Sequence, residues 1–540
     1  MKKYVVISKH GINIHSVYSE LCASEGSGAI PNRPAECWNN YQNMTNMTGF
    51  MLTEEEAETL RKDERIYDVV DWEESTKVVD TEMGLLTGNF RRLISGTAAG
   101  INWGLHRSSE LTNSWTSGEI QKGNENYHYA LDGTGVDVVI FDSGIEANHP
   151  EWQDKNGNSR LKQIDWIAEN GTYTQAHLKS GGLVSTQPAN FYEDTSGHGT
   201  FCAGISCGKT HGWAKNSDIY AMRCVGGTVT NNGYLLTDGL QLVLEWHKNK
   251  TTNRPTVVNM SFGYGVGLDS TDDVAATDTG TVYNETTGNM DAWTFGDAGY
   301  TTQWEVQEKM GYPSFGGRAY GTISFVDSII DQMLAAGIHI SIASGNSYNT
   351  IYREPSSGNS HWHNSITLNA NNFGETYHPN RAGSPKSTVN TNWSEIVIGA
   401  FDSDIDALSN QEYITSFSAR GGGVDLIAPG EDIVSAVSNT NAGYNESASP
   451  DDSNFKIGQG SGTSFAAPQV AGLMAMYLQL EPDLTPAELK EKLIRNSETG
   501  SFTDDAGAYD PTRFGKFAFY GTPKKMMTNP FHGDYLVHFQ

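Results

Sequence analysis

Three short segments of the chain carry an acid, a base and a nucleophile. Asp142 closes a β-branched run, His198 opens a run of small residues, and Ser464 lies within the string GSGTSFAAP. Each residue alone has an ordinary structural explanation, as a strand-end turn residue, a helix-cap histidine or a helix N-cap. Taken together, in the order Asp, His, Ser, they are the residue types of a catalytic triad for acyl transfer.

The chemistry assigns a role to each of the three side chains. A serine hydroxyl is a weak nucleophile, so Ser464 needs a base, and a histidine suits that task near neutral pH. Asp142 would hold the imidazole of His198 in one tautomer and stabilise its charged form. We therefore predict an Asp142–His198 hydrogen bond, a His198–Ser464 hydrogen bond and an acyl-enzyme intermediate. Turnover would rise through about pH 6–7.5, where an ordinary histidine loses its proton.

The elements that must position these residues follow an alternating pattern. From about Ile101 to Gly521 strands alternate with helices, which predicts an α/β fold with a parallel sheet and crossover helices. Val136–Phe141 and Ile219–Arg223 are predicted strands, and Leu235–His247 is a predicted helix. Ser464 would begin a helix, so its own backbone N–H and the helix dipole would face a developing oxyanion.

In these segments the chain resembles the subtilisin-like serine peptidases. Supporting strings follow in the family's order, with VVNMSFG from Val257, ASGN from Ala343, SFSARG from Ser416 and APG from Ala428. The resemblance covers roughly residues 101–521. It implies a parallel sheet with helices on both faces and a serine endopeptidase that acts on polypeptides.

The resemblance also assigns the residues around the triad. Asn346 would be the side-chain donor of an oxyanion hole that also uses the backbone N–H of Ser464. An extended substrate would pair with two backbone edges and enter a pocket beside them. The implied substrate-binding residues are Val225, Gly226, Gly227, Ser261, Phe262, Gly263, Ala343, Ser344 and Gly345.

A small α+β unit is predicted at the N-terminus. The string TEEE from Thr53 is a capping box with acids in the first helical turn. By resemblance this unit is an inhibitor-type, ferredoxin-like prodomain, and the chain after Trp72 would occupy the active-site cleft and hold the enzyme latent. The predicted division is a prodomain at 1–72, a linker with a self-cleavage site at 73–100, a catalytic domain at 101–521 and an unassigned tail at 522–540.

The connection at residues 264–320 is longer than in compact relatives. It carries nine acids against two bases, and aromatic residues that include Trp293, Phe295 and Tyr300. A solvated loop would lack that aromatic content. We expect a folded rim or docking surface whose aromatics pack on the catalytic domain or on a partner, with the acids facing water.

Composition limits the partners and the location. Lys and Arg number 36 against 64 Asp and Glu, a net charge of −28, which excludes nucleic acid as a partner. No apolar run is long enough to span a membrane. The five cysteines are scattered along the chain, which predicts reduced thiols and no disulfide framework. The apolar stretch at Tyr4–Ile7 is too short for the core of a signal peptide. The chain is therefore expected to be made in the cytoplasm, its final location being open.

The predicted mechanism requires no cofactor, and no metal ligand is assigned. Asp154–Asn158 alternates oxygen ligands, which keeps calcium as an alternative, but Arg160 and the missing distal acid break the calcium-loop pattern and favour a turn. A competing hypothesis is a catalytically idle or stored-activity component of a larger assembly, such as a virus particle. It is consistent with the expected lack of a secretion signal.

Overall fold

The computed structural model of the chain describes most of its length. The described residues are 1–9, 14–23, 30, 33–39, 47–71, 84–92, 100–109, 114–225, 233–263, 265–267, 278–302, 305–306, 309–310, 318–320, 324–353, 360–368, 375–381, 393–405, 412–439, 444–499, 503–504 and 525–527.

Residues 1–71 form a separate unit with its own apolar core. Its elements are β1 (Lys2–Ser8), α1 (Ile14–Leu21), β2 (Glu36–Asn39), β3 (Met47–Leu52), α2 (Glu54–Arg61) and β4 (Ile66–Asp71). The sheet order is β2-β3-β1-β4 and every neighbour is antiparallel, which is the ferredoxin-like arrangement. The predicted capping box is present, because Thr53 and Glu56 exchange side-chain to backbone hydrogen bonds.

The rest of the chain contains many short strands around a few long helices. In chain order the elements are β5 (Gly84–Arg91), β6 (Ile101–Asn102), α3 (Trp103–Arg107), β7 (Gln121–Tyr129), β8 (Asp137–Asp142), β9 (Leu161–Lys162), α4 (Trp166–Glu169), β10 (Ala176–His177), β11 (Leu183–Val184), α5 (His198–Cys207), β12 (Asp218–Arg223), α6 (Leu236–Asn249), β13 (Thr256–Met260), β14 (Gly265–Gly267), β15 (Thr279–Asn284), β16 (Asn289–Thr294), β17 (Arg318–Tyr320), α7 (Ser324–Ala335), β18 (His339–Ala343), β19 (Ser365–Leu368), β20 (Glu375–Tyr377), β21 (Ile396–Ile405), β22 (Glu412–Ile414), β23 (Leu426–Pro429), β24 (Ile433–Val437), β25 (Asn445–Ala448), β26 (Lys456–Gly460), α8 (Thr463–Leu480), α9 (Pro486–Asn496), β27 (Glu498–Thr499), β28 (Thr503–Asp504) and β29 (Lys525–Met526).

One large sheet forms the centre of this region. Seven of its eleven described strands, β9, β12, β8, β13, β18, β21 and β23, lie side by side in that order and are parallel to one another. Every residue of β8, β13 and β18 is buried, as expected for strands covered on both faces. The predicted parallel α/β sheet is confirmed.

Helices cover both faces of this sheet, as predicted. The chain passes from β8 to the edge strand β9, returns through α5 to β12, and continues through α6 to β13 on the other side of β8. Helix α8 packs against α5, and α7 packs against α6. The carboxyl ends of the parallel strands meet at one edge, which is where α/β sheets place their sites.

The N-terminal unit contacts the main body through Tyr67. The side-chain amide of Asn496, at the end of α9, donates to the hydroxyl of Tyr67 at 2.8 Å and to that of Tyr477 at 2.7 Å. Tyr477 lies near the C-terminal end of α8, thirteen residues after Ser464. At about 1.5 Å per residue the contact lies about 20 Å along α8 from Ser464.

The 264–320 insertion is folded where it is described. Its hairpin of β15 and β16 joins β19 and β20 in a four-stranded sheet. Trp293 stacks on Tyr300 at 5.2 Å and packs with Val282 and Ile366 in a separate small core. The aromatics therefore form a small core together with β19, which lies within the predicted catalytic domain. Asp278 is buried, although the sequence suggested that the acids face water.

Candidate active site

Asp142 is delivered to the edge of the sheet by an apolar strand. It is the last residue of β8, and its side chain is fully buried. One of its carboxylate oxygens accepts the N–H of Ser143 at 2.7 Å. A buried carboxylate needs such donors, since burying a charge without partners is costly.

His198 is the first residue of α5 and faces Asp142. Its Nδ1 lies 2.9 and 3.0 Å from the two carboxylate oxygens of Asp142. An ionised carboxylate can only accept, so Nδ1 carries the proton and Nε2 is left as the basic nitrogen. The N-cap residue Gly197 has φ of 81°, a left-handed conformation that a glycine adopts without strain. The predicted Asp142–His198 hydrogen bond is formed.

Ser464 is the second residue of α8, but its hydroxyl does not bond to His198. The hydroxyl donates instead to the backbone carbonyl of Ser261 at 3.0 Å. The predicted His198–Ser464 hydrogen bond is therefore not formed in this rotamer, because the hydroxyl donates to the Ser261 carbonyl. Ser464 still belongs to the same cluster, since the thiol of Cys202 lies 3.4 Å from its carbonyl oxygen and 3.8 Å from His198 Nδ1.

The charge of Asp142 sets the protonation of His198. Burial lowers the pKa of His198, but the attraction of Asp142 and its hydrogen bond outweigh burial and hold that pKa above its ordinary value. The imidazole keeps 26% of its surface exposed. Burial raises the pKa of Cys202, so this thiol is neutral and is not the nucleophile.

Asn346 lies beside the start of α8 and is held there by Thr463. Its Oδ1 accepts from the backbone N–H of Thr463 at 2.8 Å and from its hydroxyl at 2.7 Å. The side-chain nitrogen is turned toward Gly462, where an added Cβ would lie 3.2 Å from it. The Asn346 side-chain nitrogen and the Ser464 backbone nitrogen thus both lie beside Gly462, 3.2 and 3.6 Å from that Cβ position.

The predicted substrate edges follow neighbouring strands. Ser261, Phe262 and Gly263 come directly after β13, and Ser344 and Gly345 follow Ala343 at the end of β18. Because β8, β13 and β18 are adjacent and parallel, these residues and Asp142 share one edge of the sheet. The N–H of Val225 donates to the carbonyl of Asp142 at 3.0 Å. Gly226 and Gly227 lie outside the described residues.

Sequence reasoning missed two features of this site. Cys202 was expected to be a buried thiol, which is confirmed, but its position between His198 and Ser464 was not foreseen. Its spacing of four residues from His198 on one helix could have indicated the contact. The ring of Phe465 lies 5.7 Å from the His198 ring and 6.1 Å from that of Tyr444. No sequence signal links Tyr444, next to β25, to this site.

Asp142, His198 and Cys202 form the one compact group of potential metal-ligand atoms among the described residues. These atoms already bond to each other and to Ser464. In the segment predicted as a turn, Asp154 accepts the backbone N–H groups of Asn156 and Asn158, both at 2.8 Å, so the segment closes on itself. No helix in the described part of the chain is long and apolar enough to cross a bilayer.

The sequence is similar to known proteins of one family. The model of the subtilase family (peptidase S8) matches residues 133–516. A subtilisin-like protease 8 of Arthroderma otae is 24% identical over 434 residues, covering 77% of this chain and 60% of the relative. An extracellular serine proteinase of Thermus sp. is 22% identical over 385 residues, covering 71% and 60%. The chain spans about three-fifths of the length of these relatives. A solved cold-adapted subtilisin-like serine proteinase aligns over 81% of this chain and 99% of its own, at 19% identity and a TM-score of 0.43.

These names correct one expectation. The short apolar stretch at the N-terminus led us to expect a chain made in the cytoplasm without a signal peptide, its final location being open, whereas the relative from Thermus is named an extracellular proteinase. The cytoplasmic expectation is contradicted and is withdrawn.

Proposed function

The chain belongs to the subtilase family, and we propose that it is a serine endopeptidase that hydrolyses peptide bonds through Asp142, His198 and Ser464. The observation that carries the proposal is the pairing of His198 Nδ1 with both oxygens of a buried Asp142, next to a serine at the start of α8. Such a pair leaves Nε2 as a base on the side of the imidazole away from the carboxylate.

In the first step Ser464 attacks the carbonyl carbon of the scissile bond. Its proton passes to Nε2 of His198, and the imidazolium is stabilised by Asp142. The carbon–nitrogen bond then breaks, and the leaving amine takes the proton from Nε2, which leaves an ester on Ser464. Water attacks this ester with His198 again as the base, and the acid product and free serine are released.

The developing negative charge falls on the former carbonyl oxygen. The backbone N–H of Ser464 and the Nδ2–H of Asn346 are the donors proposed for it. Thr463 holds the amide oxygen of Asn346, so the amide is oriented before the reaction begins. Donors fixed in advance stabilise a transition state without a reorganisation cost.

A polypeptide substrate would bind as an extended strand between the two edges that start at Val225 and at Ser261. The Ser261 carbonyl now accepts from the Ser464 hydroxyl. A substrate N–H that takes this carbonyl would displace the hydroxyl and free it to turn toward His198. Substrate pairing and activation of the nucleophile would then be one event.

The N-terminal unit is proposed to act as a prodomain that keeps the enzyme latent. The Tyr67 contact lies about 20 Å along α8 from Ser464, so the unit itself would serve as an anchor. The chain after Trp72 would then enter the cleft, and a cut within 73–100 would release it. A tethered segment competes with substrate at an effective concentration of about millimolar.

The proposal is tested with a fluorophosphonate probe, which reacts with activated serines. The full chain is treated before and after limited proteolysis, and the modified residue is located by mass spectrometry. We expect labelling at Ser464 that increases after the cut. Ser464→Ala should abolish labelling, and Ser461→Ala, in the same segment, should not. Absence of labelling both before and after proteolysis would refute the proposal.

A further inference from the structure

Asp194 is a buried carboxylate that the mechanism does not use. It lies four residues before His198 and is only 2% exposed. Five of the hydrogen bonds that its oxygens accept come from residues that flank the catalytic pair. The donors are Ser143 Oγ at 2.7 Å, the N–H groups of Ser196 at 3.1 Å, Gly197 at 2.8 Å and Thr200 at 2.8 Å, and Thr200 Oγ1 at 2.6 Å.

One part of this arrangement is an ordinary helix cap. The N-cap residue of α5 is Gly197, which has no side chain to accept the first free N–H groups of the helix. Asp194 accepts the N–H of Thr200 in its place, and a negative charge at a helix N-terminus is stabilising. Capping alone would hold His198 at the start of α5 but would not relate it to Asp142.

The second part connects the helix to the strand that carries Asp142. Ser143 follows Asp142 directly, and its hydroxyl donates to Asp194 while accepting the N–H of Gly199 at 2.9 Å. Asp194 therefore holds the residue after Asp142 and the residues on both sides of His198. All these groups are buried, so water does not compete for the bonds.

We propose that Asp194 is a positioning residue, which sets the placement of Asp142 relative to His198 through Ser143. Without it, β8 and α5 would still pack, but the imidazole would no longer be held in line with both Asp142 and Ser464. This inference rests on the proposed function. A misplacement of about 1 Å in a catalytic group costs on the order of 10²-fold in rate.

The test compares Asp194→Asn with the wild-type full chain. An amide nitrogen cannot accept, so one set of donors loses its partner. We expect kcat to fall about 10–100-fold with KM within about twofold, since the change acts on the catalytic pair and not on the substrate edges. The downfield NMR resonance of the His198 Nδ1 proton, which reports the Asp142 bond, should shift or broaden.

Asp425→Asn is the matched control. Asp425 is also buried and accepts the N–H of Val397 and the ammonium of Lys490, both at 2.9 Å, at the opposite end of the strands. It should lose stability while kcat and the His198 resonance stay unchanged. An Asp194→Asn variant that behaves like this control would reduce Asp194 to a structural role and overturn the inference.

Ser143 provides a second variant if Asp194→Asn does not fold. Ser143→Ala should reproduce the loss of kcat, and Ser143→Thr, which keeps the hydroxyl, should restore it. In the double variant Asp194→Asn with Ser143→Ala, the loss of kcat should be smaller than the two single losses combined, because both changes break the same Ser143–Asp194 hydrogen bond. Additive losses would overturn the inference. The His198 resonance is measured without turnover. An inactive wild type would therefore refute the proposed function, while the resonance would still show whether Asp194 positions His198.

Discussion

The Ser464 hydroxyl donates to the backbone carbonyl of Ser261 at 3.0 Å. This carbonyl lies at the end of β13, on the edge where a substrate strand is expected to pair. A substrate paired in the proposed way would therefore compete with the nucleophile for one acceptor. Its peptide N–H would have to replace the hydroxyl at this carbonyl.

This competition predicts a sharp effect of backbone methylation on a peptide substrate. Methylating the nitrogen that would donate to Ser261 leaves the carbonyl occupied by Ser464. We expect kcat/KM to fall by about tenfold or more, since a lost buried hydrogen bond costs about 1–3 kcal/mol. Methylation one residue along is the control, because neighbouring N–H groups of a strand point to opposite sides. Equal losses at both positions would exclude the Ser261 pairing.

The pH dependence of turnover should reflect the charge of Asp142. His198 must be neutral to act as a base, and Asp142 holds its pKa above the ordinary value. We therefore expect kcat/KM to rise with pH through an inflection above about 6.5, higher than sequence alone suggested. Asp142→Asn should lower the inflection and reduce kcat by about 10⁴-fold. A pH–rate profile from 5 to 10 measures both, and an inflection at or below 6.5 in wild type would contradict the assignment.

Replacing Asn346 should affect the rate and not the binding. Asn346→Leu removes the proposed side-chain donor, and kcat should fall by about 10²–10³, the magnitude known from subtilisin, with little change in KM. Thr463→Val removes one of the two bonds that hold the amide oxygen and should give a smaller loss. Steady-state kinetics on a peptide ester and amide would measure these changes. A rise in KM alone would place Asn346 in substrate binding.

The contact through Tyr67 should keep the N-terminal unit attached after a cut in residues 73–100. Tyr67→Phe removes the hydrogen bond to Asn496. One hydrogen bond is worth about 1 kcal/mol, so the affinity of the N-terminal unit for the rest of the chain should fall several-fold. Tyr4→Phe, which breaks a bond to Glu54 inside the unit, is the control and should leave docking unchanged. Gel filtration of the cut protein measures retention. Immediate separation of the wild-type pieces would show that this contact does not anchor the unit.

Two histidines, the buried His339 and the half-buried His247, predict a loss of stability in acid. Burial lowers the pKa of His339 to about 3 and that of His247 to about 4. Both are neutral in the folded state, whereas in the unfolded chain they bind a proton below about pH 6.5. The folded state therefore keeps its full stability above that pH and loses stability as the pH falls toward about 3 to 4. The free energy of unfolding should drop by up to about 1.4 kcal/mol per pH unit for each.

Urea denaturation at pH 7 and at pH 5 measures this slope. His339→Gln removes one titrating group and should lower the slope of the free energy of unfolding against pH by the share of one proton. His177→Gln, at an exposed histidine, should leave that slope unchanged. An identical slope in His339→Gln and wild type would show that His339 already binds a proton in the folded state.

Local sequence patterns determined the elements and the identity of the reacting groups. The strand before Asp142, the small residues after His198 and the capping box at Thr53 are each set by a few neighbouring residues, so they could be predicted. The alternation of strands and helices was enough to predict the parallel sheet, since parallel neighbours need a crossover connection that is usually a helix. The α/β fold and the membership of Asp142, His198 and Ser464 in one site needed no coordinates to predict.

Tertiary structure alone decided how these groups are paired. Ser464 bonds to Ser261 because two segments about 200 residues apart meet at the end of β13. Asp194 reaches Ser143 across 51 residues, and Tyr67 reaches Asn496 across 429. A hydrogen bond depends on distances of tenths of an ångström, whereas sequence periodicity specifies only which face of an element a residue occupies. Partners between distant segments are therefore settled only when the whole core has packed.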